Sequence, residues 1–265
     1  MRLGGDLTGL SCSAALLALA AALASPLSAQ APAEVWERTL ELSGNYLYGN
    51  NDQVIVSTRA GVVRNDSTVQ LRLDGRFLIG VTDRESVGRV MDRRSWTISS
   101  SVDFRPYAAQ SQFFFMSVER SLELRIRRRA SGGIGHKVVI AQDSVTRFDV
   151  SLGVLGEQSL LPQSVAAGQP PAPLLTTSLV RLSGRVRFKR RFTSRAGMEH
   201  TTSYRPDLAS FTRYLATSVS AFSYSMGRGA NMQVSLQNDF DSLARSRGAR
   251  SNQNGQILVG ASTRF

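Results

Sequence analysis

The chain has 265 residues, and its 32 lysines and arginines against 20 aspartates and glutamates give a net charge of +12. One cysteine excludes a disulfide, and two isolated histidines with no carboxylate cluster at ligand spacing exclude a conventional metal site. The basic residues lack interleaved aromatic side chains, so we expect no nucleic acid as a partner. We also expect no cofactor.

Residues 1–29 have the pattern of a cleaved signal peptide. Arg2 gives a positive start, an Ala/Leu core runs from Leu16 to Leu23, and small residues follow. We expect cleavage after Ala29 or Ala31. The apolar run is too short for a permanent membrane helix, and Cys12 lies in the segment to be removed. The mature chain, residues 30–265, is predicted to be one exported domain without a thiol.

The mature chain repeats a two-residue alternation between turn residues. In one segment Val69, Leu71 and Leu73 lie on one face, while Gln70 and Arg72 lie on the other. This pattern is typical of half-buried strands. It predicts about twelve strands, a number for which ten or fourteen remain open. They lie near 35–48, 53–65, 68–80, 92–105, 111–125, 129–140, 144–156, 174–190, 193–205, 209–225, 230–243 and 255–265.

Three predicted connections are longer than the rest: 81–92, 157–173 and 244–254. Each follows an odd-numbered strand, so an up-and-down arrangement places all three at one end. Short turns at one end and longer loops at the other are typical of outer-membrane barrels.

The last strand ends in an aromatic residue, Phe265, on the same parity as Ile257 and Val259. This ending resembles the C-terminal signal read by the barrel-assembly machinery of Gram-negative bacteria. We therefore predict an all-β fold, a transmembrane antiparallel up-and-down β-barrel of the outer membrane. The alternative is a soluble periplasmic β-sandwich or barrel that binds an acidic ligand.

Short motifs carry a family resemblance. They are Leu42-Ser43-Gly44-Asn45, Gly49-Asn50-Asn51-Asp52, the segment from Arg129 to His136, and the final strand. With these the chain resembles the YdiY-like salt-induced outer-membrane proteins over residues 35–265. The resemblance implies a barrel and brings no established activity.

Candidate catalytic features are weak. Gly132, Gly133 and Gly135 precede a strand-like segment rather than a helix, so they indicate close backbone approach and not a phosphate loop. His136 and His200 share parity with apolar residues. A barrel-embedded lipid-modifying enzyme could pair a histidine with Ser144 or Ser203, but no nucleophile elbow is present. We expect no enzyme activity.

The charge of the polar face is the main functional indication. If that face lines a barrel, its cations favour anion permeation, and the function is that of a small anion-favouring pore or an envelope-integrity protein. The alternative is a plugged lumen, in which the cations pair with Glu41, Asp74, Asp103, Glu123, Asp149 and Asp239. The pore-lining candidates are Arg59, Arg72, Arg76, Arg125, Arg127, Arg181, Arg185, Arg187 and Lys189.

Arginines in the long connections suggest a further partner. Beyond anionic solutes and outer-membrane lipid, we expect them to contact lipopolysaccharide phosphates. They are Arg84, Arg89, Arg93, Arg94, Arg245, Arg247 and Arg250.

Overall fold

The computed structural model describes residues 36–47, 51–66, 68–84, 88–162, 173–227 and 229–264. Within them the chain forms twelve strands, with a one-turn 3-10 helix, Arg245–Arg247, before the last. The strands are β1 (Trp36–Leu47), β2 (Asn51–Asn65), β3 (Val69–Arg84), β4 (Gly88–Phe104), β5 (Gln110–Ser121), β6 (Ile126–Gln142), β7 (Thr146–Leu161), β8 (Leu175–Arg191), β9 (Ala196–Pro206), β10 (Tyr214–Gly227), β11 (Ala230–Asp241) and β12 (Gln253–Arg264). The predicted signal peptide, residues 1–29, and Phe265 lie outside the described residues, and both stay predictions.

The strands form a closed barrel in which every strand pairs with its neighbours in the chain and β1 pairs with β12. The closing ladder is antiparallel and runs from Thr39 opposite Arg264 to Gly44 opposite Val259. A closed sheet leaves no open edge, so the backbone polar groups of its strands find partners without water. The predicted all-β, up-and-down architecture of about twelve strands is confirmed.

Burial is the reverse of that in a soluble protein. Outward apolar side chains are exposed: Leu42 is 59% accessible, Ile98 54% and Ile134 68%. Inward polar side chains are buried, among them Asp149 and Glu157. An apolar exterior around a polar interior suits a bilayer and not water. The fold is therefore a transmembrane barrel rather than a soluble sandwich. Among the described residues, no helix is long and apolar enough to cross a membrane.

The connections differ in length at the two ends of the barrel. The predicted 81–92 connection is wrong in extent, because β3 continues to Arg84 and β4 begins at Gly88. This leaves only residues 85–87 between the two strands. The other two long connections are 162–174 and 242–252, and both follow odd-numbered strands. We call this end of the barrel the loop end and the opposite end the turn end.

Two aspartates stabilise tight turns at the turn end. The Asp66 carboxylate accepts backbone N–H bonds from Thr68 and Val69. Asp143 accepts the same pair of bonds from Val145 and Thr146. These backbone donors favour the charged form and hold the pKa of both carboxyls below the usual value. Such side-chain caps are the reason that aspartate marks turns in the sequence.

Glycines on β6 allow close backbone approach, as their position within a strand predicted. A Cβ atom on Gly133 would collide with the Val154 carbonyl oxygen and come within 2.7 Å of Leu155 Cβ. A Cβ on Gly135 would collide with the Phe113 ring. By contrast, a Cβ on Gly156 meets nothing within 4 Å.

We expect Gly133→Ala to lower the free energy of unfolding by about 1–3 kcal/mol, because the added methyl overpacks the β6–β7 contact. Urea unfolding in detergent or liposomes measures the change. Gly156→Ala is the matched control and should unfold within about 0.5 kcal/mol of wild type. Equal decreases in the free energy of unfolding in the two variants would contradict the close β6–β7 contact at Gly133.

A charge on the outward face should be more costly than one on the inward face. Leu73 is outward and 52% exposed, whereas Ser99 on the neighbouring β4 is inward and lies opposite Asp74. Leu73→Arg should lose about 2–4 kcal/mol if it lies near the bilayer midplane. Ser99→Arg should fold normally, because it gains an acidic neighbour. Folding yield into liposomes compares them, and equal yields would overturn the assignment of faces.

Candidate functional site

Most of the pore-lining candidates lie at strand positions whose side chains face the lumen. Arg59 on β2, Arg72 and Arg76 on β3, and Arg181, Arg185, Arg187 and Lys189 on β8 occupy positions of inward parity. They alternate with outward residues such as Leu73, Val180 and Val186. The alternation places them in the lumen because neighbouring side chains of a strand point to opposite faces.

Two of the candidates are not in this group. Arg125 lies exposed in the turn between β5 and β6, with a φ of 55°. Arg127 is exposed at the start of β6. An irregularity between Glu119 and Ser121 shifts the register of the β5–β6 ladder, so the simple alternation does not extend through the turn.

Cations from opposite walls converge in the lumen. Arg72 on β3 lies within electrostatic range of Arg187 on β8, and also of Asp74 and Glu199. Arg76 donates a hydrogen bond to Gln237 on β11. The Arg185 guanidinium lies 5.3 Å from the centre of the Phe113 ring and donates to Ser151 Oγ at 3.4 Å. Arg72, Arg76 and Arg185, which we call the lumen arginines, form no ion pair with any carboxylate in the described part of the chain.

Carboxylates neutralise other lumen cations. The separations are 3.0 Å for Arg59 and Asp74, 2.8 Å for Lys137 and Asp103, 3.1 Å for Arg187 and Glu199, and 3.5 Å for Arg147 and Asp149. Asp74, Asp103 and Asp149 thus pair with cations as the plugged-lumen alternative predicted. Glu123 instead lies in the β5–β6 turn and accepts a hydrogen bond from Ser121.

A buried ion-pair network lies near the loop end. Arg129, 5% exposed, contacts Glu119 at 2.9 Å, Asp241 at 2.9 Å and Glu157 at 3.4 Å. Arg181 also binds Glu157, at 3.0 Å, and so is neutralised although it lines the lumen. With Arg247 these residues form what we call the loop-end network: Glu119, Arg129, Glu157, Arg181, Asp241 and Arg247.

The network crosses the barrel. Arg129 is on β6 and Asp241 ends β11, and β7 to β10 separate these strands on the shorter side of the ring. The ion pair between them therefore spans the lumen. The β11–β12 connection adds to it, because Arg247 contacts Asp241 at 2.6 Å and donates to the Leu124 carbonyl oxygen at 3.2 Å. Ala244 of the same connection is 0% exposed. Side chains and a connection therefore cross the lumen at the loop end.

Sequence patterns alone do not reveal this network. Arg129 lies in the glycine-containing segment that carries the family resemblance, and Glu157 lies in the predicted 157–173 connection. The alternation along β6 could have indicated that Arg129 faces the lumen, since its neighbours Arg128 and Ala130 face outward. Arg247, expected to face lipopolysaccharide, points instead to Asp241.

The other connection arginines have different surroundings. Arg89 pairs with Asp83 at 3.4 Å, and Arg93 packs beside Gly80. Arg94 lies on the outward parity of β4, opposite Ile79. Arg245 and Arg250 are exposed in the β11–β12 connection. The side chain of Arg84 lies outside what the structure describes.

A hydrogen-bonded polar cluster lies on the outward face. His200 Nδ1 is 2.8 Å from Ser220 Oγ, and Nε2 is 2.8 Å from Thr202 Oγ1. Thr202 donates on to Ser218. Ser203 has the opposite parity to His200, and Ser144 lies in the β6–β7 turn, so neither forms the pair that the sequence suggested. The cluster satisfies polar groups on an apolar face. The described residues contain no group of three or more metal-ligand side chains.

A family described as "Protein of unknown function, DUF481" matches residues 40–254. The chain belongs to this family. The resemblance to YdiY-like proteins agrees with the match, and no curated protein matches the chain.

Solved structures show a similar fold at low identity. The translocator domain of the autotransporter NalP from Neisseria meningitidis is 10% identical, with a TM-score of 0.49 and coverage of 96% of this chain and 95% of that one. The NanC porin is 9% identical, with a TM-score of 0.49 and coverage of 85% and 98%. An outer membrane channel from Pseudomonas putida F1 is 8% identical, with a TM-score of 0.48 and coverage of 91% and 99%. These likenesses concern the fold alone.

Removing Arg129 should destabilise the barrel much more than removing a half-exposed lumen cation. Arg129→Gln removes the positive charge that the carboxylates of Glu119, Glu157 and Asp241 share. The change should lower the free energy of unfolding by about 3–5 kcal/mol. Arg187→Gln is the control, since its pair with Glu199 is 30% and 40% exposed, and should cost less than about 1 kcal/mol. Equilibrium unfolding in lipid compares the two. Similar costs would show that the network is not a buried unit.

Proposed function

We propose that this protein is a narrow, anion-favouring pore of the outer membrane with its constriction at the loop end. One observation carries the proposal: the lumen arginines project from β3 and β8, on different walls, and make no direct ion pair with a carboxylate among the described residues. Fixed positive charge in a confined lumen raises the local concentration of anions and repels cations. The range of this effect is about 8 Å at physiological ionic strength, comparable with the width of a small barrel.

The charge arrangement supports a pore with a specific narrow region. In the loop-end network each acidic group contacts an arginine, so this region contributes size restriction rather than net charge. The lumen arginines supply the selectivity. A twelve-strand barrel is larger than the eight-strand barrels whose side chains fill the interior and smaller than open porins, which is consistent with partial obstruction.

The outer membrane is the location that best fits a closed barrel with this surface. Bacterial single-chain barrels there have an even number of strands, short turns at one end and longer loops at the other. This chain has the same asymmetry, with connections 162–174 and 242–252 at the loop end. The export signal expected over residues 1–29 agrees with this location.

A second candidate is an envelope-integrity protein without a conducting path. The ion pair between Arg129 and Asp241, which crosses the lumen, favours it. The two candidates make opposite predictions for ion conductance.

Purified protein in planar bilayers under a KCl gradient should show a reversal potential that is shifted from zero toward the equilibrium potential of chloride. Arg72→Gln combined with Arg185→Gln should reduce the anion preference, most clearly at low salt, because two unpaired charges leave the lumen. Arg125→Gln is the matched control, since Arg125 lies in an exposed turn, and should leave the reversal potential unchanged. Replacing residues 243–251 with a two-residue turn should raise conductance.

Cation-selective current from the wild type would contradict the role of the lumen arginines. Equal reversal potentials in the wild type and the double variant would do the same. Absence of current in protein shown to be folded by heat-modifiable gel mobility would favour the envelope-integrity candidate.

A further inference from the structure

The outward face carries a groove that the pore function does not use. One row of paired residues crosses six strands, from Leu73 on β3 through Met116 on β5 to Val180 on β8. In its centre Gly132 and Gly156 face each other and carry no side chains. The resulting cavity has a volume of about 790 Å³ and opens outward. We call it the outer groove.

Large apolar residues flank the glycines. Phe114, Met116 and Val118 stand on the β5 side, and Val180 stands on the β8 side. Each is exposed in the barrel alone, so the bilayer must cover it. Because the centre is recessed and the flanks are apolar, the groove has the shape and chemistry to hold a hydrocarbon chain.

A polar pocket adjoins the outer groove on the side of the loop end. It has a volume of about 140 Å³, is lined by Arg128, Gln158 and Thr176, and shares Gln158 with the groove. Arg128 is exposed and makes no ion pair with a described carboxylate. Arg120 has outward parity on the adjacent β5, opposite Trp96 of β4. A cationic pocket at one end of an apolar groove matches an anionic headgroup joined to an acyl chain.

We propose that the outer groove and its arginine pocket bind lipid A of lipopolysaccharide, with one acyl chain over Gly132 and Gly156 and a phosphate at Arg128. Guanidinium groups bind phosphate oxygens through charged, paired hydrogen bonds. The inference rests on the proposed membrane placement, in which the loop end lies at the external surface of the outer membrane. The loop end therefore meets the leaflet that contains lipopolysaccharide. It does not require that the lumen conducts.

Substitutions can fill the groove without disturbing the barrel. Gly156 has open space where a Cβ would lie, so Gly156→Leu should fold normally and occupy the path of the acyl chain. Gly184 is the matched control. It is outward on β8, outside the groove, and its Cβ would meet only the Tyr204 carbonyl oxygen, at 3.8 Å. Arg128→Gln removes the phosphate partner, and Arg190→Gln, outward at the turn end, removes an equivalent charge elsewhere.

The test is a titration of refolded, full-length barrel in detergent with purified lipid A, read by native mass spectrometry. Parallel titrations use dephosphorylated lipid A and phosphatidylglycerol. We expect one tightly bound lipid A per barrel, a loss of at least about tenfold in affinity for Gly156→Leu and Arg128→Gln, and no change for Gly184→Leu or Arg190→Gln. Dephosphorylated lipid A should bind wild type as weakly as lipid A binds Arg128→Gln.

Other outcomes overturn the assignment. Equal affinity for lipid A in all variants would place the lipid elsewhere, and tighter binding of phosphatidylglycerol would reject lipid A as the ligand. A wild-type dimer that Gly156→Leu dissociates, with no bound lipid A, would show that a second copy of the chain covers the groove. Failure to form a heat-modifiable barrel in detergent would instead count against the membrane placement on which the proposed function depends.

Discussion

The pairing of β1 with β12 is the constraint on which the rest of the structure depends. In a bilayer, an unpaired strand edge leaves backbone N–H and C=O groups without partners. The two terminal strands must therefore meet, and the backbone approaches closely where they do. A Cβ on Gly260 would collide with the Leu42 carbonyl oxygen and lie 2.6 Å from Ser43 Cα. A glycine at this point of the ladder lets the sheet close.

Closure also decides where the polar residues go. Once the sheet is a ring, one side of every strand faces a confined lumen and the other faces lipid. Arg129, Glu157 and Asp241 are remote in sequence, yet they are enclosed in one small volume. Each buried charge needs a nearby opposite charge, since desolvation is costly. The loop-end network is the result. The lumen arginines, by contrast, make no direct ion pair with a carboxylate in the described part of the chain.

The lipid-facing surface is not uniform. Most of its positions carry apolar side chains, but two regions depart from this rule. Around His200, polar groups bind one another and so reduce the cost of facing lipid. Around Gly156, missing side chains leave a recess that only the environment can fill. The polar groups of the first region are satisfied within the chain, whereas no described side chain fills the recess of the second.

Side-chain alternation is a local property of an extended backbone, so it was enough to predict the strands and the apolar face of each, with about twelve strands expected and ten or fourteen left open. The same alternation predicts Leu73 on the outward face and Arg72, Arg185 and Arg187 on the inward face. It could not place Arg125, since a positive φ and a shifted register end the alternation at the β5–β6 turn. Which charges meet depends on the three-dimensional arrangement of the strands. The contact between Arg129 and Asp241, and the alignment of Gly132 with Gly156, depend on strand register and ring closure, which bring together residues that no local pattern relates.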